Sequence, residues 1–579
     1  MNYLNTLVTK TLQFFGAIDP HGFSQNYKFI GYTDKQTHLP WRNEKVRHDY
    51  QFVVRQHLKR NLLGVDFDHI MNQFHHPIAT IDKIVSTLRD KGDLSPHVIP
   101  KDRHYHRGIQ ATIDAFRPPH LIRPVHFADL RYYQWNWHPN VEEPFYSDKA
   151  LRAHVNESHS LGFLPDGRMS FGNLKNVVFI RTRRFLHHIK RGDITNLRHL
   201  YPPMKLHFKP ALTSIDDYKV RIVFGVSKLH ILPCAMFFWP LFRYYIDEHS
   251  SPLLWGYETI LGGMLKLHLL MSIPNLYYRT FVTIDWSGFD FHTIHDMIRD
   301  LLSGTRTFFD FNNGYIPTKY YKSSQANPIH LERLWNWIVE AIFKMPFILP
   351  DKTMYTWKHR GFASGLFPTQ YIDSIYNLAM IYTILDSMGF DISKLQILVQ
   401  GDDSISMLTF HIPANEHSAF QHEFGKLAKY YFDSVARPEK THISNDPQSV
   451  EVLGYSNWNG YPCRDWRKLL AQLYHPRGSP DMSILAARCC GIQYASMYNY
   501  PEVTRTCRDV FNHVVSAGIT PAALPIQRDV ILQGETSFHV DTSHFPTEAE
   551  VTRHLRSPYV RTADDKDEYF PMSHFVTQF

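Results

Sequence analysis

The stretch that most constrains this chain is residues 396–408, where two apolar-rich runs flank Gly401-Asp402-Asp403. Gly and Asp tolerate the positive φ that tight turns require, so the pattern predicts a β-hairpin. Its turn would hold two adjacent carboxylates at the tip. Neighbouring like charges repel, so a divalent cation placed between them and a substrate is the natural occupant. The tripeptide alone leaves a solvated turn as the alternative.

A second carboxylate follows a hydrophobic strand. Residues 281–284 are predicted as a buried strand, and Asp285 stands at its C-terminal end, where side chains reach a cleft. A carboxylate there is costly without a partner. Ser287-Gly288 predicts a turn, and a helix is expected from Phe291 onward. Asp290 is either the N-cap of that helix or a polar group of the same cleft.

A glycine-containing loop, residues 360–368, precedes a helix that is predicted to begin at Thr369. Thr369, Asp373 and Asn377 recur every four residues, so they share one face of that helix beside the loop. A hydroxyl, a carboxylate and an amide in a row suit a site that hydrogen-bonds sugar hydroxyls. A polar helix face turned towards solvent is the alternative.

Two basic segments suit phosphate groups. Lys219 and Arg221 alternate with apolar residues, so in a strand both cations share one face and form a phosphate clamp. A salt-bridged surface strand is the alternative. Residues 173–191 are predicted as a helix with an apolar stripe and a basic face that could follow a phosphate backbone. A solvated basic face explains the same pattern.

The composition indicates a globular protein that tolerates a polyanionic partner. With 579 residues, 44% hydrophobic and 14% aromatic, the chain can build several subdomains with large cores. The 62 Lys and Arg exceed the 55 Asp and Glu, which leaves a net charge of +7. The five Cys show no C-x-x-C pair and no His at zinc-finger spacing, which argues for a reducing compartment and against structural zinc.

No membrane or secretory segment is expected. The N-terminus lacks a basic region followed by an apolar run. The most apolar run, residues 231–246, is interrupted by Pro233 and Pro240 and is too short to span a bilayer. We interpret this run as buried core.

Other patterns predict the elements around these motifs. Short helices with polar connections are expected over the first 120 residues, for example at 81–88. An amphipathic helix is predicted at 415–432, a hairpin at 451–460 and a helix at 482–494. Thr547-Glu548-Ala549-Glu550 has the pattern of a capping box. Residues 562–579 are expected to form a loosely held tail.

The chemistry-bearing motifs stand in a fixed order along the chain. Asp285 with Asp290, then Ser364-Gly365 with Thr369, then Gly401-Asp402-Asp403 are separated by 364 − 285 = 79 and 401 − 364 = 37 positions. In the order and the residues of these motifs, the sequence resembles the palm of viral RNA-dependent RNA polymerases. The resemblance is strongest to the polymerases of partitiviruses, and those of picobirnaviruses are close neighbours. The specific match covers residues 219–455. The first two hundred residues and the last hundred are placed only by analogy with the family.

The resemblance implies a role for each matching residue. Two Mg²⁺ ions, with Mn²⁺ as an alternative, would be held by Asp285, Asp402 and Asp403. Lys440, in Pro438-Glu439-Lys440-Thr441, would protonate the leaving pyrophosphate. Nucleotide binding would use a grip on the triphosphate and a pocket around the ribose, formed by Lys219, Arg221, Asp290, Ser364, Gly365, Thr369, Asp373 and Asn377. The primer end would be gripped by Leu453-Gly454-Tyr455.

One position departs from the pattern of many positive-strand RNA virus polymerases. Those enzymes carry Asn four residues after the Thr, where this chain has Asp373, with Asn377 one turn later. Either residue is therefore a candidate for the sugar contact.

The implied fold is α+β, a right hand of fingers, palm and thumb with an antiparallel palm sheet flanked by helices and closed by an N-terminal segment. The expected boundaries are an N-terminal segment linking the fingertips (1–120), fingers (121–280), the first part of the palm (281–304), a fingers insertion (305–359), the second part of the palm (360–456), and a thumb with C-terminal tail (457–579).

The implied function is copying of RNA templates, for both transcription and replication of a segmented double-stranded RNA genome. The expected partners are RNA template and product, nucleoside triphosphates and viral coat protein, without a membrane, in the virion interior and the host cytoplasm. A reverse transcriptase shares the palm but generally carries an aromatic residue in place of Asp290. A non-catalytic, capsid-associated RNA-binding protein is the second alternative, and it would bear the cost of unpaired clustered carboxylates.

Overall fold

The structure is a computed structural model that describes residues 18–35, 39, 44–195, 197, 200–248, 251–273, 278–322, 326–476, 481–523 and 540–576. The N-terminus that lacks a secretory pattern lies outside the described residues. In the described part the strands are β1 (Tyr27–Tyr32), β2 (Phe74–His75), β3 (Met204–Pro210), β4 (Thr213–Ser214), β5 (Val220–Gly225), β6 (Thr280–Thr283), β7 (Phe347–Ile348), β8 (Thr353–Trp357), β9 (Leu395–Gln400), β10 (Asp403–Leu408), β11 (His442–Ser444), β12 (Glu451–Val452), β13 (Tyr455–Trp458) and β14 (Tyr461–Cys463).

The helices are α1 (Glu44–Asn61), α2 (Gly64–Asn72), α3 (Ile81–Gly92), α4 (Arg103–Phe116), α5 (Lys149–Ser160), α6 (Phe171–Arg191), α7 (Lys228–Glu248), α8 (Gly263–Met271), α9 (Phe289–His292), α10 (His295–Arg306), α11 (Pro328–Lys344), α12 (Thr369–Ser387), α13 (His417–Phe432), α14 (Trp466–Tyr474), α15 (Met482–Ser496), α16 (Pro501–Ser516), α17 (Glu548–Thr552) and α18 (Ala563–Tyr569). Helices and largely antiparallel sheets are combined, so the fold is mixed α and β.

The central sheet has the spatial order β11-β6-β10-β9, and every pairing in it is antiparallel. Its residues alternate between two apolar layers. Val282 and Ile397 belong to the main core, whereas Phe281 and Leu398 belong to a second cluster shared with the β12–β14 sheet. Because both faces are covered, successive residues of these strands can be apolar, which explains the runs Phe281-Val282 and Ile397-Leu398-Val399 in the sequence.

Helix α12 packs against β9 of the central sheet and along α4. Its residues 371–386 are all buried. The alternative of a polar face turned towards solvent is therefore wrong, because Asp373, Ser374 and Asn377 lie inside the protein. Polar groups in such a place require partners or a ligand.

A second sheet, of order β1-β8-β7-β3-β5, is antiparallel except for the pair β3–β7. At one edge, β5 buries Val220 and Phe224 while Arg221 is exposed, as the alternation predicts. At the other edge lies β1, from the N-terminal part of the chain.

The N-terminal part also reaches the C-terminal helices. Helices α1 and α2 pack on α14, and α1 packs on α16. Their shared apolar cluster includes Tyr50, Val54, Leu470, Cys507 and Val510. Because β1 belongs to the second sheet, the N-terminal residues connect that sheet with the C-terminal helices.

Several local predictions are confirmed. The segments predicted as helices at 81–88, 173–191, 415–432 and 482–494 correspond to α3, α6, α13 and α15, and the 451–460 hairpin corresponds to β12–β14. Thr547 and Glu550 form the capping box at α17. The apolar run at 231–246 lies in α7 and is buried from Leu232 onward. In the part of the chain that the structure describes, no helix is long and apolar enough to cross a membrane.

The helix expected from Phe291 is wrong in detail. The chain forms the short α9, breaks, and resumes as α10. The break arises because Ile294 pairs with Arg360 in an isolated β-bridge and donates its N–H to the hydroxyl of Tyr376 at 3.0 Å. The N-cap of α9 is Gly288, so Asp290 is not a cap but part of the first helical turn.

The expectation of a loosely held tail is wrong for residues 562–576. Thr562 forms a capping box at the start of α18, and the following Phe570 and Phe575 are buried in the main core. The indole N–H of Trp239, in α7, donates to the carbonyl of Tyr569 at 3.1 Å. The polar stretch at 564–567 led to the prediction of a loose tail, because the aromatic residues that anchor the segment come after it. Residues 577–579 lie outside the described residues.

Candidate active site

Asp402 and Asp403 lie at the tip of the β9–β10 hairpin, where the sequence predicts a turn. The pairing of β9 with β10 sets Gln400 opposite Asp403. Gly401 adopts a φ of 63°, in the left-handed region that Gly occupies without strain. Both Asp side chains are exposed to solvent. The hairpin therefore presents two adjacent carboxylates that solvent and small ligands can reach.

Asp285 reaches the same place from β6. The register of β6 with β10 pairs Thr283 with Ile405. Continued by two residues, this register sets Asp285 across from Asp403. The neighbouring strands thus bring Asp285, Asp402 and Asp403 together, and we call these three residues the carboxylate cluster.

Two cations contact Asp285 from the segment before β11. Its Oδ2 lies 3.3 Å from Lys440 Nζ and 3.7 Å from a terminal nitrogen of Arg437. The backbone fixes this approach, because the N–H of Arg437 donates to the carbonyl of Asp285 at 2.9 Å and Trp286 forms a β-bridge with Ala436. These two cations therefore offset the energetic cost of placing the Asp285 charge at the end of a buried strand.

The pKa values of Asp402 and Asp403 are both raised. Asp403 is open to solvent on one side, but the protein on its other sides desolvates it and raises its pKa to about 7, with the charges of Asp402 and Asp285 adding to the rise. Desolvation is also the largest cause of the raised pKa of Asp402, and Asp285 acts in the same direction. The cluster thus favours any positive charge that enters it.

Asp290 and Asp373 form a second acidic pair beside the carboxylate cluster. Burial raises the pKa of Asp290 to about 6, with Asp402 adding and Arg221 opposing. Burial, followed by the charges of Asp290 and Asp402, raises the pKa of Asp373 well above its ordinary value. Asp373 Oδ1 is buried and has no hydrogen-bond partner among the described residues. An oxygen of this kind suits a hydrogen bond from a ligand hydroxyl.

Asn377 holds the hairpin turn. Its Nδ2 donates to the carbonyls of Gly401 at 3.0 Å, Asp402 at 3.0 Å and Asp403 at 3.4 Å. Its Oδ1 accepts the indole N–H of Trp286 at 2.9 Å. Because an amide has two N–H donors, these contacts occupy the whole group. The side chain of Asn377 is thus fully engaged within the protein.

The glycine-containing loop is pressed against β5. A Cβ added to Gly365 would lie 1.9 Å from the carbonyl oxygen of Phe224, so only Gly permits this approach. The hydroxyl of Ser364 is buried without a partner among the described residues. The Thr369 hydroxyl donates to the carbonyl of Leu366 at 2.9 Å, which fixes the loop on the first turn of α12.

Lys219 and Arg221 face the acids from the edge of the second sheet. The charge of Arg221 opposes the raised pKa values of Asp290, Asp402 and Asp403. Partial burial lowers the pKa of Lys219, and the charge of Arg221 and then that of Lys440 lower it further. Neither Lys219 nor Arg221 forms an ion pair with a described residue, so the alternative of a salt-bridged surface strand is not what the structure shows.

Leu453 and Gly454 form the turn between β12 and β13, with φ values of 54° and 74°. A positive φ costs a residue such as Leu about 1–2 kcal/mol. Tyr455 is buried in the second apolar cluster. The turn lies near the carboxylate cluster, since Glu451 contributes to the raised pKa of Asp403.

The carboxylate cluster suits a divalent cation by its donor chemistry. Carboxylate oxygens are the ligands that Mg²⁺ prefers, and a cation would relieve the mutual repulsion of the three acids. Among the residues that the structure describes, no three His, Cys, Asp or Glu side chains already converge around one point. Asp285 is turned towards Lys440 and Arg437 instead.

Sequence reasoning missed three groups at this site. Arg437 stands three residues before Lys440, in the segment that carries the predicted lysine. Trp286 directly follows Asp285, but nothing in the sequence links it to Asn377. Ser374 accepts the N–H of Gly401 at 2.9 Å through its hydroxyl. A Ser or Asn inside an apolar helix is the signal that could have pointed to such contacts.

Comparisons with known proteins identify the family of the chain. Residues 189–513 match the family described as viral RNA-dependent RNA polymerase. The chain is 35% identical to the RNA-directed RNA polymerase of White clover cryptic virus 1 (isolate Boccardo/2004), in an alignment that covers 100% of this chain and 99% of the relative. It is 26% identical to the RNA-directed RNA polymerase of Atkinsonella hypoxylon virus (isolate 2H), over 77% of this chain and 73% of the relative.

Neither a reverse transcriptase nor a non-catalytic RNA-binding protein is the family that matches. The motif order that the resemblance rests on, residues 219–455, lies inside the matched segment 189–513. The chain therefore belongs to the viral RNA-dependent RNA polymerases, and within them to the partitivirus-like type.

Proposed function

We propose that this polymerase copies RNA templates by nucleotidyl transfer at the carboxylate cluster of Asp285, Asp402 and Asp403. The observation that carries the proposal is the β6–β10 register, which brings Asp285 to the hairpin tip. The reaction joins the 3′-hydroxyl of the growing strand to the α-phosphorus of a nucleotide and releases pyrophosphate. Negative charge develops on both the attacking and the leaving oxygen.

Polymerases of this family need divalent metal ions, and we assign two Mg²⁺ ions, with Mn²⁺ as an alternative, to Asp285, Asp402 and Asp403. Bound there, the ions would lower the pKa of the attacking hydroxyl and neutralise charge on the leaving group. The chain's own task is to hold the carboxylates in place, which the strand register and the Asn377 contacts do.

Four cations near the carboxylate cluster would bind the triphosphate: Lys219, Arg221, Arg437 and Lys440. Their mutual proximity is supported by the pKa of Lys219, which burial lowers first and the other three lower further. Arg221 adds the planar, bidentate geometry that suits phosphate oxygens. Lys440, which contacts Asp285, would give a proton to the departing pyrophosphate.

Recognition of the ribose would fall to Asp290 and Asp373, supported by Ser364, Gly365 and Thr369. Between Asp373 and Asn377 we assign the sugar contact to Asp373, because its Oδ1 lacks a partner among the described residues whereas the Asn377 amide is occupied. Protonation of this acidic pair, which its raised pKa values favour, would add an O–H donor for a sugar oxygen.

We assign the chain to a right-hand architecture of palm, fingers and thumb. Under this proposal the palm comprises 281–304 and 360–456, the fingers 121–280 with the insertion 305–359, and the thumb with C-terminal segment 457–579. The N-terminal segment, 1–120, closes the hand, which is supported by β1 joining the second sheet and by α1 packing on α16. Leu453, Gly454 and Tyr455 would grip the primer end beside the carboxylate cluster.

The biological setting is part of the same proposal. The polymerase would use RNA template and product and nucleoside triphosphates, and would both transcribe and replicate a segmented double-stranded RNA genome. It would act in the virion interior beside coat protein and in the host cytoplasm, without a membrane. The support is the resemblance to partitivirus polymerases and the 35% identity with the cryptic virus enzyme.

The proposal is tested by nucleotide incorporation with purified protein. Asp402→Asn should abolish Mg²⁺-dependent incorporation because it removes one carboxylate of the cluster. Asp391→Asn is the matched control, since Asp391 caps the turn before β9 at the opposite end of the strand and Asn caps equally well. Normal incorporation by Asp402→Asn would refute the proposal. Supplying dNTPs in place of NTPs also separates RNA synthesis from reverse transcription.

A further inference from the structure

Helix α6 carries a row of cations along its outer side. Arg183, Arg184, His187 and Arg191 are exposed, and they recur with each helical turn of about 5.4 Å. Lys190 lies half-buried beside them. Arg333, from α11, joins the row at the end of α6, because it donates to the carbonyls of Lys190 and Arg191. We call these six residues the α6 cationic face.

The described residues do not balance the permanent charges of this face. Two neighbours are paired, since Arg181 contacts Asp148 and His188 contacts Asp193 at 3.2 Å. No described carboxylate lies within ion-pair distance of the Arg and Lys members of the α6 cationic face. The helix dipole offers only about half of a negative charge at its C-terminal end. Within the described part of the chain, several cations therefore have no carboxylate partner.

These cations are close enough to act on one another. Burial, followed by the charge of Arg183, lowers the pKa of Lys190 to about 8. Burial also lowers the pKa of His187, followed by the charges of Lys190, Arg183 and Arg191. Like charges held together destabilise a fold by mutual repulsion. An external anion that spans several of them would relieve this repulsion.

The α6 cationic face lies apart from the carboxylate cluster. Helix α6 packs on α11 and α7 and not on the central sheet. An anion bound here would therefore not be the nucleotide at the hairpin tip. No Phe, Tyr or Trp side chain of α6 is exposed among these cations, so the face offers mainly charge and little stacking surface. Such a face suits a repeating backbone charge and does not read bases.

We propose that the α6 cationic face binds the phosphate backbone of single-stranded RNA outside the catalytic cleft. The inference rests on the proposed function, in which RNA is the polyanion that the chain handles. A strand laid along the row would place successive phosphates near Arg183, Arg184 and Arg191 and release their condensed counterions. The face would retain the RNA during copying without regard to its sequence.

The test compares Arg183→Gln/Arg184→Gln with the matched control Lys59→Gln/Arg60→Gln. Both double variants remove two charges, and the control pair is exposed in the last turn of α1. Binding is measured over a salt series with a long single-stranded RNA and with an oligonucleotide too short to extend beyond the cleft. Each phosphate contact contributes a slope of about 0.7 on single strands.

The expected result is a slope flatter by about 1.4 for the long RNA and an affinity lower by about 25-fold near 0.1 M salt, with short-RNA binding and short-template incorporation unchanged. Slopes and affinities equal to those of the control would overturn the inference. So would unchanged RNA binding together with loss of binding to polyglutamate, which would assign the face to an acidic protein segment. Retained incorporation in either case leaves the proposed function standing.

Discussion

The indole N–H of Trp286 donates to the side-chain carbonyl of Asn377 at 2.9 Å, deep beneath the carboxylate cluster. The bond orients the amide so that its nitrogen faces the three backbone carbonyls of the hairpin turn. Trp286 is the neighbour of Asp285, whereas the turn carries Asp402 and Asp403. The contact thus couples the two strands that supply the acids.

The first prediction concerns Asn377→Asp, which keeps the size of the side chain but replaces its donors with an oxygen facing the turn carbonyls. Leaving buried acceptors unmatched costs about 1–3 kcal/mol, so kcat should fall roughly 10- to 100-fold. The fall should be equal for NTP and dNTP, because the residue positions the turn and does not read the sugar. Steady-state incorporation with both substrates measures this.

Trp286→Phe should reproduce a milder form of the same defect, since it removes only the N–H that orients the amide. Trp458→Phe, at an exposed Trp, serves as its control. A changed ratio of NTP to dNTP incorporation rates in Asn377→Asp would contradict the positioning role. It would indicate that Asn377 contacts the ribose.

The second prediction concerns the ribose. Asp290→Ala and Asp373→Ala should each narrow the discrimination against dNTP, because each removes a proposed partner of the sugar hydroxyls. A hydrogen bond to a charged or strongly polar group contributes about 1.5–3 kcal/mol, which corresponds to roughly a 10- to 100-fold change in the ratio of kcat/KM values. Competition between NTP and dNTP gives this ratio directly. Unchanged discrimination between NTP and dNTP in both variants would show that the acidic pair does not recognise the sugar.

The third prediction concerns Gly365→Ala. The added Cβ would meet the Phe224 carbonyl at 1.9 Å, so the loop and β5 must separate. Because β5 carries Arg221, we expect the KM for nucleotides to rise by about tenfold or more, a loss of roughly 1.4 kcal/mol of binding. Titration of the nucleotide concentration checks it.

Gly425→Ala provides the control for that substitution. Gly425 lies in α13, and a Cβ there would meet no atom within 4 Å. This control should stabilise the protein by about 0.5–1 kcal/mol through its higher helix propensity and leave KM unchanged. An unaltered KM in Gly365→Ala would show that β5 does not depend on the loop.

The sequence predicted the site as far as its local patterns reached. Apolar runs and turn residues were enough to predict the hairpin at Gly401 and the strand before Asp285. Only the order of the motifs along the chain indicated that the two belong to one site. The partners of Asp285 were not predictable, because the pairing of Trp286 with Ala436 brings Arg437 and Lys440 from far along the chain.

Non-local contacts also explain the other differences. The break between α9 and α10 arises because Ile294 bonds to Arg360 and Tyr376, which no local helix signal records. The C-terminal segment has a polar beginning, and only the three-dimensional fold shows that Phe575 enters a site beside α7. Local composition indicates the secondary structure that a segment prefers, but it does not show where the segment packs in the folded protein.

The fourth prediction concerns that C-terminal segment. Phe575 is 1% exposed and its ring packs edge-to-face on Trp239. Phe575→Ala should lower the free energy of unfolding by about 3–5 kcal/mol because it leaves a cavity in the main core. Val576→Ala, at an exposed neighbour, should change it by less than about 0.5 kcal/mol. Urea denaturation compares the two, and equal stability would restore the description of a loose tail.

The fifth prediction concerns the contribution of three buried His residues to the pH dependence of stability. Burial lowers the pKa of His230, His295 and His475 to about 4. In the unfolded chain these groups titrate near 6.5, so between pH 6.5 and 4 the unfolded state binds more protons. The stability that these three His contribute is therefore full above that window and is lost as the pH falls through it, by roughly 2 kcal/mol per His between about pH 7.5 and 5.

His295→Asn isolates one of these contributions. The ring of His295 contacts the Gly361 carbonyl at 2.7 Å, at the start of the glycine-containing loop, so the variant starts from a lower stability. Its fall between the two pH values should nevertheless be smaller than that of the natural protein by about 2 kcal/mol. His48→Asn, at an exposed His, should leave the fall unchanged. Because the comparison concerns the pH-dependent difference, an identical fall in His295→Asn would show that His295 titrates alike in the folded and unfolded chain.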